Sequence, residues 1–592
     1  MAIGTIPQQF LHSVETFNKK DAFKYKTGGK YVDVSHQEAF DRVYHAALGL
    51  QALKLAKGDR VALLSENRLE WAISDLAILS ASCINVPVYA TLPANQIEYI
   101  LRDSEARAIF VSNEEQLAKI QQIRGSLPML QTIVSFEQTD ADGVMTLDAL
   151  IERGRMEENK PEYRSMIDTI GKYDWASIIY TSGTTGDPKG VILTHWNFMS
   201  NVHAILGEFE IGATDSCLSF LPLSHVFERT AGYHVMLAAG ATIAYAESVE
   251  TVADNLGEVH PTVVCSVPRL YEKMYGRILD AVEKGSGLKQ NLFHWAVGAG
   301  RKYVNEHLAG GAGGMTRGKK NIATALVFKK LQARTGGRLR FFVSGGAPLS
   351  RHIAEFFYAA GIPILEGYGL TETSPVLTVN TFENFKFGSV GKPLPGVEIK
   401  IAGDGEILAK GDNIMPGYYK KPDQTAEVLI DGWFHTGDIG HIDEEGYLVI
   451  TDRKKDIIVT AGGKNVAPQP IENKIKQSPF IGEVVLIGDR RKFISAVIVP
   501  EFEKLEDYAA ANRIPTSSRH ELVNNTTVNE LYSSELDKTC ATLAGYEKPH
   551  KFTLADRELT VDAGELTPSL KVKRRVIESK FKDQIDRMYS ED

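Results

Sequence analysis

A chain of 592 residues exceeds what one hydrophobic core can hold, so two or more domains are expected. Hydrophobic residues make up 43% and charged residues 24%, the balance of an ordinary globular protein. The formal charge of −9 argues against a general nucleic-acid binder, which needs a basic footprint. The four cysteines, Cys83, Cys217, Cys265 and Cys540, are far apart and form no CxxC pair, which excludes a disulfide framework and points to a reducing, cytoplasmic setting. The first residues, MAIGTIPQQFLHSVETF, lack the basic segment and apolar run of a signal peptide. No run of ~18 apolar residues is present to span a membrane.

In chain order, Ser35-His36-Gln37-Glu38 is a capping box opening a helix. RVALLSEN (60–67) reads as a strand, WAISDLAILSAS as a helix, IEYILRDSEA as a helix and ARAIFVSN (106–113) as a strand. ASIIYTSG (176–183), TVVCSV (262–267) and LRFFVSGG (339–346) are further strands. Apolar strands separated by helices indicate parallel sheets covered on both faces. After about residue 385, GEILAKG and GYLVIT with Gly-Asp turns suggest short antiparallel strands in a small barrel. TDRKKD (451–456) reads as a linker, dividing a domain of residues 1–450 from one of 451–592. Residues 283–320 are Gly-rich and locally basic with an amphipathic helix in the middle; they read either as a solvated excursion or as a peripheral membrane or oligomer contact.

Four motifs carry chemistry. Tyr180-Thr-Ser-Gly-Thr-Thr-Gly-Asp-Pro-Lys-Gly190 follows a buried strand and has the composition of a phosphate cradle. Its glycines, including Gly183 and Gly186, admit close approach of an anion; Thr181, Ser182, Thr184 and Thr185 supply hydroxyls, and Lys189 a cation. It is not a Walker A loop, because Pro188 stands where that pattern requires Gly. In Tyr368-Gly-Leu-Thr-Glu-Thr373, a hydroxyl beside a carboxylate suits Mg²⁺ bridging phosphates. Ser344-Gly-Gly-Ala-Pro348 offers bare backbone to a flat base. In Phe434-His-Thr-Gly-Asp438, the carboxylate suits ribose hydroxyls. Any one of these alone reads as a turn.

Taken together and in this order, with PLSHVFER (222–229), GEILAKG (405–411), TDRKKD and a C-terminal lysine, the motifs resemble the adenylate-forming superfamily of acyl-CoA synthetases, nonribosomal adenylation domains and luciferases. SVPRLYEKMY (266–275) and GELTPSLKVKRR (564–575) are similar to the long-chain acyl-CoA synthetase branch. The resemblance implies an α/β fold: a large N-terminal domain of two helix-covered sheets plus a small β-barrel at about 385–450, and a small mobile α+β C-terminal domain.

The resemblance also implies two half-reactions. A fatty-acid carboxylate attacks the α-phosphorus of ATP, and the thiol of coenzyme A then displaces AMP. Thr181, Ser182, Thr184 and Lys189 would hold the β- and γ-phosphates, with Gly183, Thr185 and Gly186 in the same cradle. Glu372 and Thr184 would hold Mg²⁺. Thr371 and Lys571 would meet the α-phosphate, with Lys573 as the alternative lysine because Leu570 replaces the Gly common before it. Gly345, Gly346, Ala347, Tyr368 and Gly369 would form the adenine pocket, and Asp438 and Arg453 would bind ribose. His225 would gate the acyl side or orient the carboxylate. Lys455 marks the hinge, and Gly462, Gly463 and Lys464 would approach coenzyme A. The expected partners are small molecules rather than nucleic acid, acting on a monomer or homodimer, with a membrane surface touched at most peripherally. The rival readings are an acyl-AMP ligase loading an acyl-carrier protein and a non-catalytic nucleotide-binding protein on the same fold.

Overall fold

The computed structural model describes residues 3–181, 188–515, 517–561, 563–567 and 571–590. An eight-stranded sheet runs in the order Gly417–Tyr418, Lys189–Thr194, Trp175–Thr181, Ile84–Val88, Arg60–Leu64, Ala108–Val111, Thr132–Ser135 and Val144–Thr146. Its strands are parallel except at the hairpin of Trp175–Thr181 with Lys189–Thr194 and the short strand beyond it. A nine-stranded sheet runs Lys392–Pro393, Val376–Val379, Ile364–Gly369, Phe341–Ser344, Val263–Ser266, Ser216–Ser219, Thr242–Tyr245, Phe23–Thr27 and Lys30–Val34, parallel through its middle.

Side-chain alternation explains the layering. Val61 and Leu63 point into a core shared with Phe23, Cys217 and Ile243 of the other sheet and with the buried helix Leu69–Ser80. Ala62 and Leu64 point the other way, into a core with Ile97, Ile100 and Leu117 of flanking helices. The outer face of the nine-stranded sheet presents Leu218, Val264 and Phe342 to Tyr271, Phe356 and Phe357. Helix His36–Ala52 begins where the capping box predicts: Ser35 Oγ accepts from the Glu38 N–H at 3.1 Å, and Glu38 Oε2 accepts from the Ser35 N–H at 2.7 Å.

The segment 283–320 is helical for most of its length. Gly287–Leu308 is followed by Gly314–Ala323, which continues through a π-helical turn, Thr324–Phe328, into Lys329–Arg334. Strands Glu398–Ile401, Glu406–Lys410, Trp433–Ile442 and Leu429–Ile430 form a further sheet in that order, with Leu448–Arg453 beside Trp433–Ile442.

The chain divides into two compact units: Met1–Lys400 with Leu408–His435 and Asp443–Leu448, and Ile401–Ile407 with Thr436–Ile442 and Val449–Asp592. The second unit contains a three-stranded sheet of Ile481–Ile487, Ser495–Pro500 and Lys551–Leu554. Val484 and Leu486 face one small core, with Ile475 and Tyr532; Val485 and Ile487 face another, with Ile577 and Ile585. No described helix is long and apolar enough to cross a membrane.

Candidate active site

The phosphate-cradle motif begins and ends on ladder partners. Thr181 and Lys189 face each other at the connected end of a hairpin whose strand Trp175–Thr181 is buried along most of its length. The hairpin is held close: a Cβ on Gly190 would lie 2.7 Å from Ile178 and 3.2 Å from Tyr180. Tyr180 donates to Asp103 at 2.6 Å, fixing the strand end. Ser182, Gly183, Thr184, Thr185 and Gly186 lie outside the described residues.

Lys189 Nζ sits 4.9 Å from the centre of the Tyr418 ring. The Tyr418 hydroxyl donates to Glu372 Oε1 at 2.8 Å. One tyrosine thus stands between the cation of the first motif and the carboxylate of the second. Backbone groups and the Asn413 side chain tie the same segments together. Met415 N–H donates to Glu372 O at 2.8 Å, Asn413 Nδ2 to Thr373 O at 2.8 Å, and Tyr419 N–H to Gly190 O at 2.7 Å. Tyr418 was missed by sequence reasoning. A signal was present in the Tyr418-Tyr419 pair after Met415-Pro-Gly, but nothing local says which residues it meets.

Thr371 and Glu372 occupy a half-buried single turn, Thr371–Thr373. Tyr368 and Gly369 end the preceding strand and pair with Thr378 and Val376. A side chain on Gly369 would collide with the Pro375 carbonyl, so only glycine fits there. Gly345, Gly346 and Ala347 follow strand Phe341–Ser344, where Ser344 pairs with both Ser266 and Glu366. Gly346 adopts φ +82°, and a Cβ on Gly345 would touch the Phe227 ring at 3.2 Å. These two motifs thus lie at the same end of adjacent parallel strands. Glu366, between them in sequence, is buried, and desolvation pushes its carboxyl up to about 8, against a backbone hydrogen bond from Leu349. It too escaped sequence reasoning, although a charge inside the apolar run PILEG was a visible anomaly.

His225 lies at the start of a buried stretch. The Phe227 N–H donates to its Nδ1 at 3.1 Å, which places the proton of the neutral ring on Nε2. The π-helix Glu228–His234 that follows is buried throughout. Arg229 and Asp75, with fully buried side chains, pair at 2.5 Å; Arg229 also donates to Ser177 Oγ at 2.7 Å, and Asn85 Nδ2 to Asp75 at 2.5 Å. Glu228 is buried beside them in sequence, and desolvation pushes its carboxyl up to about 8.

In the second unit, Asp438 and Arg453 stand on strands Trp433–Ile442 and Leu448–Arg453, with Arg453 Nε 3.5 Å from Asp438 Oδ1. Asp438 is nearly buried while Arg453 is exposed. Gly437 N–H donates to Glu406 at 2.9 Å, and Lys454 pairs with Glu406 and Asp404 at 2.9 and 2.7 Å. Lys455 is exposed. Gly462, Gly463 and Lys464 form the exposed tip of a hairpin, where Thr460 N–H donates to Lys464 O at 3.0 Å and Gly463 takes φ +73°.

Lys571 closes a loop: its N–H donates to Thr567 Oγ1 at 3.0 Å, and Thr567 N–H donates to Lys571 O at 2.8 Å. Lys573 instead heads helix Arg574–Lys580, its N–H donating to Glu565 O at 2.8 Å. Glu565 anchors the loop. Its buried carboxylate receives Arg557 at 2.5 and 2.8 Å, Lys580 at 3.2 Å and the Thr560 N–H, and these hold its pKa down to about 2 although burial opposes them.

The profile of the family described as AMP-binding enzyme matches residues 10–419, and that of the AMP-binding enzyme C-terminal domain matches 455–540. The chain belongs to the AMP-binding enzyme family. Among its relatives are the long-chain-fatty-acid–CoA ligase FadD15 of Mycobacterium bovis, 37% identical over 95% of this chain and 93% of that protein, and the peroxisomal long chain acyl-CoA synthetase 7 of Arabidopsis thaliana, 32% identical over 100% and 87%. Solved structures of the same fold include the anthranilate CoA ligase AuaEII (TM-score 0.76, 20% identity, 99% of each chain) and a Mycobacterium tuberculosis fatty acyl CoA synthetase (TM-score 0.63, 23%, 98% and 99%).

Membership supplies a test for a metal. Among the described residues no three His, Cys, Asp or Glu side chains cluster, so a cage made wholly of protein is not built there. Glu372 offers a half-buried carboxylate beside the cradle lysine, the donor set of an ion held by one carboxylate, phosphate oxygens and water.

Proposed function

We infer that the chain is a long-chain-fatty-acid–CoA ligase that converts a fatty acid and ATP to acyl-AMP and pyrophosphate, then forms the coenzyme A thioester and releases AMP. The near full-length likeness to FadD15 carries this reading. The match covers both parts of the chain, which favours a ligase over an isolated nucleotide-binding module.

In our reading the first half-reaction is positioning and charge neutralisation, as phosphoryl and adenylyl transfer demand. Lys189 and Thr181, with Ser182, Gly183, Thr184, Thr185 and Gly186, hold the outer phosphates. Glu372 and Thr184 would hold Mg²⁺, which supplies positive charge against those phosphates. Tyr418 keeps the Glu372 carboxylate aimed by donating to one oxygen, leaving the other to its ligand. Gly345, Gly346, Ala347, Tyr368 and Gly369 accept the adenine, Asp438 and Arg453 the ribose, and Thr371 and Lys571 the α-phosphate. His225 orients the fatty-acid carboxylate.

For the second half-reaction we propose that residues 451–592 act as a mobile lid on residues 1–450. Lys455 is the hinge, and Gly462, Gly463 and Lys464 meet the pantetheine. The four cysteines are free and buried, which supports a reducing, cytoplasmic setting. A peripheral contact with lipid suits a substrate that resides in membranes.

The test is AMP release from ATP across carboxylates from acetate to eicosanoate, each with and without coenzyme A. Turnover that requires coenzyme A and peaks at long chains supports the reading. An acyl-adenylate that persists despite coenzyme A refutes it in favour of loading a carrier protein.

A further inference from the structure

Helix Gly314–Ala323 and its continuation to Arg334 carry six Lys and Arg and no Asp or Glu, in a chain whose net charge is −9. Over 284–334, ten basic residues face the single acid Glu306. The inner stripe of this long helix is spent on the fold: Ala323 and Phe328, with Val327 and Leu331, pack against Ala296 and Ala360. Lys320 also turns inward, donating to Ala359 O at 2.6 Å.

The opposite stripe is exposed. Met315, Ile322 and Leu326 are 78, 53 and 48% exposed, and helical spacing aligns them with Lys319 on one line. Lys319, Lys329 and Lys330 are exposed around the apolar middle and make no ion pair with a described residue. At 1.5 Å per residue the helix is about 30 Å long, enough to lie along a headgroup layer.

We propose that this face docks on an anionic lipid bilayer, with Ile322 and Leu326 entering the headgroup boundary and the lysines reaching the phosphates. Charge complementarity selects this occupant. A face with no acid matches an anionic leaflet. The flanking lysines can lay their stems on the apolar surface and keep their ammonium groups among phosphates. A second copy in an isologous contact would bring like charges together. A nucleic-acid backbone would leave the exposed isoleucine and leucine against phosphate with no gain. The inference is independent of the chemistry at the ATP site.

The test uses the full chain and sedimentation with vesicles of phosphatidylcholine alone or of equal parts phosphatidylcholine and phosphatidylglycerol. Because the native cysteines are buried, Ala325→Cys offers a single site for an environment-sensitive dye. The expected result is binding to the anionic vesicles, weakened by salt, with a blue shift of the dye. The Lys319→Gln, Lys329→Gln, Lys330→Gln variant should lower partitioning on the order of a hundredfold, from the surface attraction of three charges. Ile322→Ser with Leu326→Ser should lower it about tenfold or more through lost apolar burial. Both variants should melt at the parent temperature and turn over a short water-soluble carboxylate at the parent rate. Equal binding to neutral and anionic vesicles, no binding, or partitioning indifferent to these substitutions would overturn the proposal. So would tighter binding to duplex DNA than to vesicles, or a dye shift that follows dimer formation without lipid.

Discussion

At the residue scale, Tyr418 and Lys571 lend themselves to separate tests. Tyr418→Phe keeps the ring under Lys189 but removes the donor to Glu372. A hydrogen bond to a charged group contributes about 1.5 kcal/mol, so adenylation should slow about tenfold. The KM for fatty acid should not move, and the Mg²⁺ needed for half-maximal rate should rise. A Tyr418→Phe enzyme with parental Mg²⁺ dependence would show that the hydroxyl does not serve Glu372. Lys571→Ala should abolish acyl-AMP formation yet still form thioester from supplied acyl-adenylate, measured by isotope exchange and by thioester release. Lys573→Ala should leave both intact, because that residue heads a helix while Lys571 closes the loop anchored by Glu565. Reversal of the two phenotypes would move the assignment to Lys573. The pairing of Thr181 with Lys189 lies within one short motif of the sequence because eight positions separate them. The Tyr418–Glu372 contact does not, because 46 residues separate the partners.

At the scale of elements, the capping box, the strand runs and the amphipathic middle of 283–320 were visible as patterns, since each is a local periodicity. The π-helix Glu228–His234 was not. Within it a fully buried arginine pairs with an aspartate 154 residues away on helix Leu69–Ser80, a contact no local pattern carries. Removing one member leaves the other charge buried alone. Asp75→Ala should therefore cost about 3–5 kcal/mol in urea unfolding, and pairing Asp75→Leu with Arg229→Met should recover much of that loss. A cost below about 1 kcal/mol for the single change, the range of surface pairs, would show that water reaches the pair. The strand before Gly345 was legible in sequence and the strand Ile364–Gly369 was not; their adjacency comes from the parallel order of the sheet, which no local pattern carries.

At the scale of the whole molecule, buried carboxyls of opposite tendency shape stability against pH. Glu228 and Glu366 are raised to about 8, so the fold favours their neutral forms. Their contribution is complete below the ordinary value of 4.5 and is lost as pH rises toward 8. Glu565 is depressed to about 2, so its contribution is present above 4.5 and is lost as pH falls toward 2. Burial also holds His36, His195 and His234 below their ordinary value of 6.5, so their contribution grows as pH rises to 6.5 and is constant above it. Melting temperature should therefore decline from pH 6.5 toward 8, and Glu366→Gln should flatten that decline. An unchanged slope in the variant would mean that the carboxyl ionises freely in the fold. The segment Asn413–Tyr419 has a consequence of another kind. A ribosome makes Lys189 and Glu372 well before it makes the strand that stitches them together. The nascent chain can fold most of both large sheets while its nucleotide site is still unassembled. The junction of Lys189 with Glu372 is therefore deferred in time until this short stitch has emerged and closed.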